Sequence, residues 1–256
     1  MSVLDRFRLD GRKAFVTGGS KGLGAAMAQA LAEAGADVAI ASRHPEECRA
    51  TADRIHRATG RTVLAYRLDV ADREAVQQVV HSIEEAFGRI DILINNAGAV
   101  SRKTTVELPL EEWQHLLDVN LSGPFYCAQA VLPGMVQRRY GRIINISSTF
   151  GAVGFPGRSP YTASKGGLLN MTRTWALEFA KDGITVNAIC PGPFDTPMFS
   201  GVKNNPQALS EFLSRVPMGR LGNPEELGAV AVFLASEAAS YITGAAIFVD
   251  GGWTAQ

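Results

Sequence analysis

Short apolar runs alternate with longer segments of helical periodicity along most of this 256-residue chain. The runs are continuously hydrophobic and lie at residues 13–17, 37–41, 62–68, 90–94, 142–146, 184–189 and 246–249. Parallel strands that are buried on both faces have this pattern, because the helices that connect them also cover the sheet. The sequence therefore predicts an α/β fold in which residues 1–256 form a single domain. Its core is one doubly wound parallel sheet of about seven strands with helices on both faces.

Charge and composition exclude several classes of function. Lys and Arg total 25 and Asp and Glu total 25, so no net field attracts nucleic acid or anionic lipid. No stretch approaches the roughly 20 apolar residues of a membrane span, and residues 1–10 lack the apolar core of a signal peptide. Cys48, Cys127 and Cys190 have no metal-binding or disulfide spacing. We therefore expect a cytoplasmic protein with a small-molecule substrate, no metal, no nucleic-acid partner and no membrane partner.

A glycine-rich segment follows the first apolar run. Its spacing is Gly18-x-x-x-Gly22-x-Gly24, which differs from GxGxxG. Glycines allow a tight turn and a close approach of the backbone to a pyrophosphate, and the next helix presents unpaired N–H groups to it. Because the segment lies between a predicted strand and a predicted helix, it indicates a Rossmann-type dinucleotide site.

The end of the second apolar run bears on the choice of coenzyme. A site for NAD usually places an acidic residue there, which binds the ribose hydroxyls and repels a 2′-phosphate. This chain has Ser42, Arg43 and His44 instead. The Arg43 guanidinium suits a phosphate, and Lys21 in the glycine-rich segment adds a second cation. We expect NADP(H) to be preferred, with NAD(H) as the alternative.

Tyr161 and Lys165 are four residues apart and so share one face of a helix. A free tyrosine titrates near pH ~10, which is too high for acid–base catalysis at neutral pH, but a nearby cation lowers that pKa. Carbonyl reduction requires a hydride at carbon and a proton at oxygen. Tyr161 is suited to supply the proton, and a hydroxyl such as that of Ser148 to hydrogen-bond the developing oxyanion. This spacing alone is common by chance on helix surfaces.

The motifs of the chain, taken together, closely resemble those of the short-chain dehydrogenase/reductase family. They are TGGSKGLG at residues 17–24, Leu68-Asp69-Val70, Asn95-Asn96-Ala97-Gly98, Asn120, Ser147-Ser148, YTASK at residues 161–165 and Pro191-Gly192. They follow the family's order and spacing, with Ser148 thirteen residues before Tyr161 and Asn120 twenty-eight before Ser148. The resemblance extends from about Gly11 to Gly252.

The resemblance implies a role for each matching position. Tyr161 would be the acid/base, Ser148 rather than Ser147 would polarise the carbonyl, and Asn120 would hold a water for proton relay. Lys165 would lower the tyrosine pKa and bind the nicotinamide ribose. The catalytic residues would be Asn120, Ser148, Tyr161 and Lys165. The cofactor-binding residues would be Gly18, Ser20, Lys21, Gly22, Leu23, Gly24, Ser42, Arg43, Asp69, Val70, Asn96, Ala97, Gly98, Tyr161, Lys165, Pro191, Gly192 and Thr196.

Two subgroups of the family bear on the substrate. Residues 220–226 and 240–244 resemble 3-oxoacyl-ACP reductases, but residues 99–103 depart from their pattern and Leu177 stands where they dock the carrier with an arginine. Residues 102–104 and 107–113 look more like gluconate 5-dehydrogenases, and a cation at the cleft mouth would pair with a carboxylate. We expect a small polar hydroxy or keto compound such as a sugar acid. A 3-oxoacyl-ACP is the alternative.

Three further expectations concern a substrate lid, the oligomeric state and a non-catalytic alternative. Residues 194–217 are rich in Pro, Gly, Asn and Ser and follow a strand's carboxyl end, which predicts a substrate lid. Residues 244–252 resemble the family's last strand, which implies a homotetramer. Some relatives bind the dinucleotide without turnover, and a non-catalytic sensor is therefore the alternative from a different class. Such relatives often lose the tyrosine, lysine or serine that this chain retains.

Overall fold

Seven parallel strands form one sheet in the computed structural model, which describes residues 2–255. In chain order the strands are β1 (Lys13–Thr17), β2 (Asp37–Ser42), β3 (Val63–Arg67), β4 (Ile92–Asn95), β5 (Gly141–Ile146), β6 (Ile184–Pro191) and β7 (Ala246–Val249). Their order across the sheet is β3-β2-β1-β4-β5-β6-β7, and every neighbouring pair is parallel. The predicted sheet of about seven parallel strands is therefore confirmed.

The helices connect successive strands, and five of them precede β5. In chain order the helices are α1 (Gly22–Glu33), α2 (Pro45–Thr59), α3 (Arg73–Phe87), α4 (Leu110–Leu117), α5 (Gly123–Arg138), α6 (Ser159–Phe179), α7 (Ser200–Lys203), α8 (Pro206–Leu213) and α9 (Pro224–Ala235). Helices α2 and α3 are each followed by a glycine in the left-handed conformation, Gly60 and Gly88, which ends the helix. No helix within residues 2–255 is long and apolar enough to cross a membrane.

Each face of the sheet has its own hydrophobic core, because successive residues of a strand point to opposite faces. On one face, Ile40 of β2 and Ile94 of β4 pack with α1, α2 and α9. On the other, Phe15 of β1 and Leu93 of β4 pack with α3, α5 and α6. This double coverage explains why the strands are continuously apolar rather than alternating.

The chain reverses its winding direction between β1 and β4. From β1 it proceeds outward to β2 and β3, and it then returns to place β4 on the other side of β1. Loops at the carboxyl ends of these two central strands diverge to opposite faces, which leaves a crevice between them. The glycine-rich segment after β1 and the Asn-Asn-Ala-Gly segment after β4 both lie at this point.

Three elements differ from the sequence-based expectation. The helical patterns predicted at residues 113–119 and 125–136 form one continuous rod, since a π-helical turn at Asp118–Ser122 joins α4 to α5. The lid predicted at 194–217 contains two short helices, α7 and α8, where the sequence showed no strong pattern. Helix α9 was not expected, although Asn223 and Glu226 form a capping box at its start and Pro224 is its first residue.

Candidate active site

A cleft of about 370 Å³ lies at the carboxyl ends of the central strands. Every predicted cofactor-binding residue lines it, from Gly18 after β1 to Thr196 after β6. The predicted catalytic residues Ser148, Tyr161 and Lys165 also line it, whereas Asn120 lies behind its wall. The fold thus gathers residues from seven separate segments of sequence into one cavity.

The glycine-rich segment has the geometry of a phosphate-binding loop. Gly18 and Gly22 have positive φ angles of 65° and 57°, and a Cβ on Gly24 would overlap the Gly18 carbonyl. Helix α1 begins at Gly22 without a side-chain cap and without an acidic residue in its first turn. Its first N–H groups are therefore directed at the cleft, and Thr196 faces Gly22 from the opposite side. These residues fit the pyrophosphate of a dinucleotide.

The Asn95-Asn96-Ala97-Gly98 segment holds this loop in place. The Asn96 side-chain nitrogen donates to the carbonyl oxygens of Thr17 and Gly18 at 3.0 and 3.1 Å. In return, the Thr17 hydroxyl accepts hydrogen bonds from the backbone N–H groups of Asn96 and Ala97, both at 3.1 Å. Asn96 therefore shapes the cofactor cleft through the loop.

The end of the cleft beyond β2 contains the residues on which the coenzyme prediction depends. Arg43 is exposed, lines the cleft and has no acidic partner among residues 2–255. Lys21 differs from expectation, because its Nζ lies 3.1 Å from a carboxylate oxygen of Glu47. Glu47 also accepts a 3.4 Å hydrogen bond from Ser20. Of the two cations predicted to bind the 2′-phosphate, Lys21 is therefore paired with Glu47, and Arg43 has no acidic partner among residues 2–255.

Tyr161 and Lys165 lie on the first turns of α6 and meet Ser148 across the cleft. A hydrogen bond with Ser148 lowers the pKa of Tyr161, while burial raises it more strongly. The neighbouring Ser147 faces away and donates to the Lys165 carbonyl at 3.0 Å. Lys165 is buried, its Nζ donates to the Ile146 carbonyl at 2.7 Å, and burial lowers its pKa to about 8. The Tyr161 phenol, the Ser148 hydroxyl and Lys165 therefore all line the same cleft, with the phenol and the hydroxyl hydrogen-bonded to each other.

Arg158 is a cleft residue that the sequence analysis missed. It is half-buried, three residues before Tyr161, and its positive charge lowers the pKa of Tyr161. Lys165 was expected to have this effect, but it lies 5.8 Å from the centroid of the Tyr161 ring and bonds to a carbonyl instead. The i, i+3 spacing of Arg158 and Tyr161 at a helix start was the available signal.

Asn120 lies in the π-helical turn between α4 and α5 and is fully buried. Its Oδ1 accepts a 2.8 Å hydrogen bond from the Ala99 N–H, and its Nδ2 donates to the Ala99 carbonyl and to Ser164 at 2.9 and 3.2 Å. The side chain therefore connects the loop after β4 to α6. Its role in holding a water stays a prediction.

The half of the cleft between Tyr161 and α8 is lined largely by residues that the sequence motifs did not indicate individually. Most of them are apolar or aromatic, and two are arginines: Val100, Arg102, Thr149, Phe150, Arg158, Met198, Phe199, Val202, Phe212 and Trp253. Met198, Phe199, Val202 and Phe212 come from the predicted lid. Apart from Arg102 and the residues of the predicted lid, sequence reasoning missed these residues because they come from distant segments with no common spacing.

Comparison with known proteins gives a consistent result over nearly the whole chain. Residues 18–254 match the family model described as enoyl-(acyl carrier protein) reductase. The chain is 40% identical over 245 residues to the 3-oxoacyl-[acyl-carrier-protein] reductase FabG of Thermotoga maritima, covering 96% of this chain and 98% of that protein. It is 38% identical over 254 residues to the gluconate 5-dehydrogenase of Gluconobacter oxydans, covering 99% of both.

A solved structure gives the same answer. The gluconate 5-dehydrogenase from Burkholderia cenocepacia, in complex with NADP and tartrate, has a TM-score of 0.95 and 38% identity, with 100% of both chains covered. Its bound NADP agrees with the coenzyme expected from sequence. The predicted family resemblance is confirmed, and the chain belongs to the short-chain dehydrogenase/reductase family of oxidoreductases.

Proposed function

We propose that this oxidoreductase uses NADP(H) to interconvert a secondary alcohol and a ketone on a small hydroxy or keto compound that carries a carboxylate. Sugar acids, the substrates expected from sequence, belong to this class. The observation that carries the proposal is the convergence of Ser148, Tyr161 and Lys165 on one side of a cleft whose other end has a phosphate-binding loop.

The side chains divide the chemistry between them. A bound nicotinamide supplies or accepts the hydride. In reduction, the Tyr161 hydroxyl transfers its proton to the carbonyl oxygen, and in oxidation the phenolate removes a proton from the alcohol. Ser148 donates a hydrogen bond to the substrate oxygen and so stabilises the charge that develops there. The positive charge of Arg158 favours the phenolate, which offsets part of the effect of burial on Tyr161.

The preference for NADP(H) is supported by Arg43 and by the solved relative that holds NADP. A guanidinium just after β2 suits the 2′-phosphate, residues 42–44 at the end of that strand include no acidic residue, and the nearby Glu47 carboxylate is paired with Lys21. The ion pair between Lys21 and Glu47 leaves Arg43 as the main cationic contact in this proposal.

A carboxylate on the substrate is supported by the loop after β4. Lys103 already pairs with Glu112 at 2.6 Å, but Arg102 lines the cleft and has no acidic partner among residues 2–255. The relative from Burkholderia cenocepacia binds tartrate, a hydroxy acid, alongside NADP. Arg102 is therefore the cation of this loop that remains available to an acidic substrate.

Reduction of a 3-oxoacyl-ACP is the second candidate, supported by the 40% identity to the reductase from Thermotoga maritima. Against it stands Leu177, 83% exposed on α6, at the position where the resemblance to those reductases implies a carrier-docking arginine. An acyl carrier protein is acidic, and an exposed leucine gives it no charge to bind. We therefore rank this candidate second.

A homotetramer is proposed from two exposed apolar patches. Phe125 on α5 and Leu177 on α6 are exposed on one side, and Tyr241 and Phe248 are exposed next to and on β7, at the sheet edge. Two separate apolar patches suit two different interfaces, as a tetramer with two-fold axes requires. Cys48, Cys127 and Cys190 are buried and free, which fits the proposed cytoplasmic location.

The proposed function is tested by following NADPH absorbance at 340 nm with keto acids, neutral ketones and a 3-oxoacyl thioester, each with both coenzymes. We expect turnover of keto acids, with a higher kcat/KM for NADPH than for NADH. Turnover of the thioester alone would favour the second candidate. A protein that binds NADPH but oxidises it with no carbonyl compound would indicate a non-catalytic sensor.

A further inference from the structure

The substrate half of the cleft has an aromatic wall that the proposed function does not explain. It consists of four cleft-lining side chains: Phe150, Phe199, Phe212 and Trp253. Ring centroids are 5.9 Å apart for Phe150 and Trp253, 4.9 Å for Trp253 and Phe212, and 5.0 Å for Phe212 and Phe199. The wall begins beside Tyr161, whose ring centroid is 6.5 Å from that of Phe150. A substrate whose carbonyl reaches Tyr161 therefore extends along a continuous aromatic surface.

Apart from Ser148, Thr149, Tyr161 and the two arginines, this half of the cleft offers few side-chain partners for hydroxyl groups. Asp69, the single acidic residue among the described residues that line the cleft, follows the edge strand β3 at the opposite end. The Asn96 amide is bonded to the phosphate loop, and His44 follows β2. Each substrate hydroxyl that loses water here without gaining a partner lowers affinity by about tenfold or more. A polyhydroxy chain therefore fits this wall poorly.

Two arginines adjoin the wall and have no acidic partner among residues 2–255. The Arg158 Nη1 donates to the carbonyls of Ser101 and Gly157 at 3.1 and 3.0 Å, and Arg102 donates to the Met198 carbonyl at 3.2 Å. Burial lowers the pKa of Arg158, and the nearby positive charge of Arg102 lowers it further. Arg158 is half-buried and Arg102 is exposed, and two like charges near each other at the cleft favour an anion between them.

We propose that the substrate is a hydroxy or keto carboxylic acid whose remainder is apolar, either alkyl or aryl. Arg158 and Arg102 bind its carboxylate, and its apolar part packs against the aromatic wall. This inference rests on the proposed function and narrows it. A polyhydroxy sugar acid can pair its carboxylate with the arginines, but its hydroxyl groups pack poorly against the aromatic wall. An apolar neutral ketone can pack against the wall, but it has no charge for the arginines to bind.

Binding to the NADP⁺-loaded protein tests this selectivity without turnover. Isothermal titration calorimetry compares 3-phenylpropanoate with 3-phenylpropanol, which has the same ring without the charge, and with gluconate, which has the charge without the ring. We expect 3-phenylpropanoate to bind at least about tenfold more tightly than either, because it alone uses both features. Gluconate binding as tightly as 3-phenylpropanoate would overturn the inference.

Variants separate the two contacts. Arg158→Met is expected to weaken 3-phenylpropanoate binding by about 10- to 100-fold and to leave 3-phenylpropanol unchanged, whereas Arg158→Lys retains part of the preference for the acid. Phe212→Ala is expected to weaken both phenyl compounds and not gluconate. Arg57→Met, an exposed arginine of α2, is the control. Equal weakening of the acid and the alcohol by Arg158→Met would show a structural role and contradict the proposal.

Turnover measured on the same wild-type protein distinguishes this inference from the proposed function. The expected binding selectivity, without reduction of any aryl or alkyl keto acid, would refute the proposed function and leave standing only the assignment of the two arginines and the aromatic wall as a binding site for an apolar carboxylic acid. Reduction of a sugar-derived keto acid, together with preferential gluconate binding, would support the proposed function and refute the inference about an apolar substrate.

Discussion

At the scale of single residues, Lys165 has opposite consequences for catalysis and for stability. It is 4% exposed, and burial lowers its pKa from 10.5 to about 8. Below pH 8 the folded protein therefore contains a buried ammonium that the unfolded chain keeps in water. The shift corresponds to roughly 3 kcal/mol of unfavourable free energy at neutral pH. The active site therefore contains a buried cation that lowers the stability of the folded protein.

Replacing Lys165 by Met is expected to abolish turnover and to raise the free energy of unfolding at pH 7 by about 1–3 kcal/mol. Between pH 8 and 10.5 the unfolded wild-type chain binds more protons than the folded protein, so wild-type stability rises with pH and the difference narrows. Urea unfolding at pH 7 and pH 10 measures both effects. Lys181→Met, at an exposed lysine, is the control. A Lys165→Met protein less stable than wild type at pH 7 would contradict this assignment.

The residue scale also shows what sequence reasoning could find. Ser148, Tyr161 and Lys165 were identifiable because their chemistry needs fixed residue types at fixed separations within one strand–helix unit. Arg158 belongs to the same unit, yet it was missed because arginine at a helix start is ordinarily a solvated charge. In the folded chain its guanidinium donates to the Ser101 carbonyl and lines the cleft, a contact between distant segments that the sequence does not show. The pairing of Lys21 with Glu47 was missed for a similar reason, since α2 brings Glu47 to the loop.

At the scale of elements, the segment from Phe194 to Pro217 is proposed to be a lid. Asp195 and Lys203 form an ion pair at 2.5 Å within it, and Asn205 caps α8 by accepting from the Ala208 N–H at 3.1 Å. Met198, Phe199, Val202 and Phe212 of this segment line the cleft. A ligand in the cleft gives these side chains a packing partner, so closure over it is favourable.

Hydrogen exchange tests the lid. Amides of α7 and α8 are expected to exchange faster than those of α6 in the free protein, and to be protected when NADP⁺ and 3-phenylpropanoate are bound. The reason is that ligand contacts raise the free energy of opening for the segment they touch. Amides of α3, which packs on the sheet away from the lid, provide the internal control. Unchanged exchange across residues 200–213 would argue that the segment is a fixed surface loop.

Two helices show why elements were missed although their sequence signals were present. Helices α8 and α9 both begin with Asn followed by Pro, a combination that caps a helix and supplies its first residue. The abundance of Pro, Gly, Asn and Ser within residues 194–217 indicated a loop, so the eight-residue helix α8 was not predicted. Helix α9 is apolar on several sides because it packs between α1 and the sheet, so it lacks clear amphipathic periodicity.

At the scale of the whole molecule, the site is a consequence of topology. The strand order that reverses between β1 and β4 brings the loop after β1, the segment after β4 and the start of α6 to one edge of the sheet. The continuous apolar runs were enough to predict this architecture, because strands of such sequence require helices on both faces. The apolar substrate half was not predictable, since the residues that form it meet only after the chain has folded.

The central claim is that Tyr161 exchanges the proton within this cleft. The most direct measurement compares kcat for NADPH-dependent ketone reduction by wild type and by Tyr161→Phe, with NADPH affinity measured in parallel. We expect a loss of about 10²- to 10⁴-fold in kcat, the usual contribution of a general acid, with NADPH affinity nearly unchanged. Turnover by the variant within about threefold of wild type would contradict it.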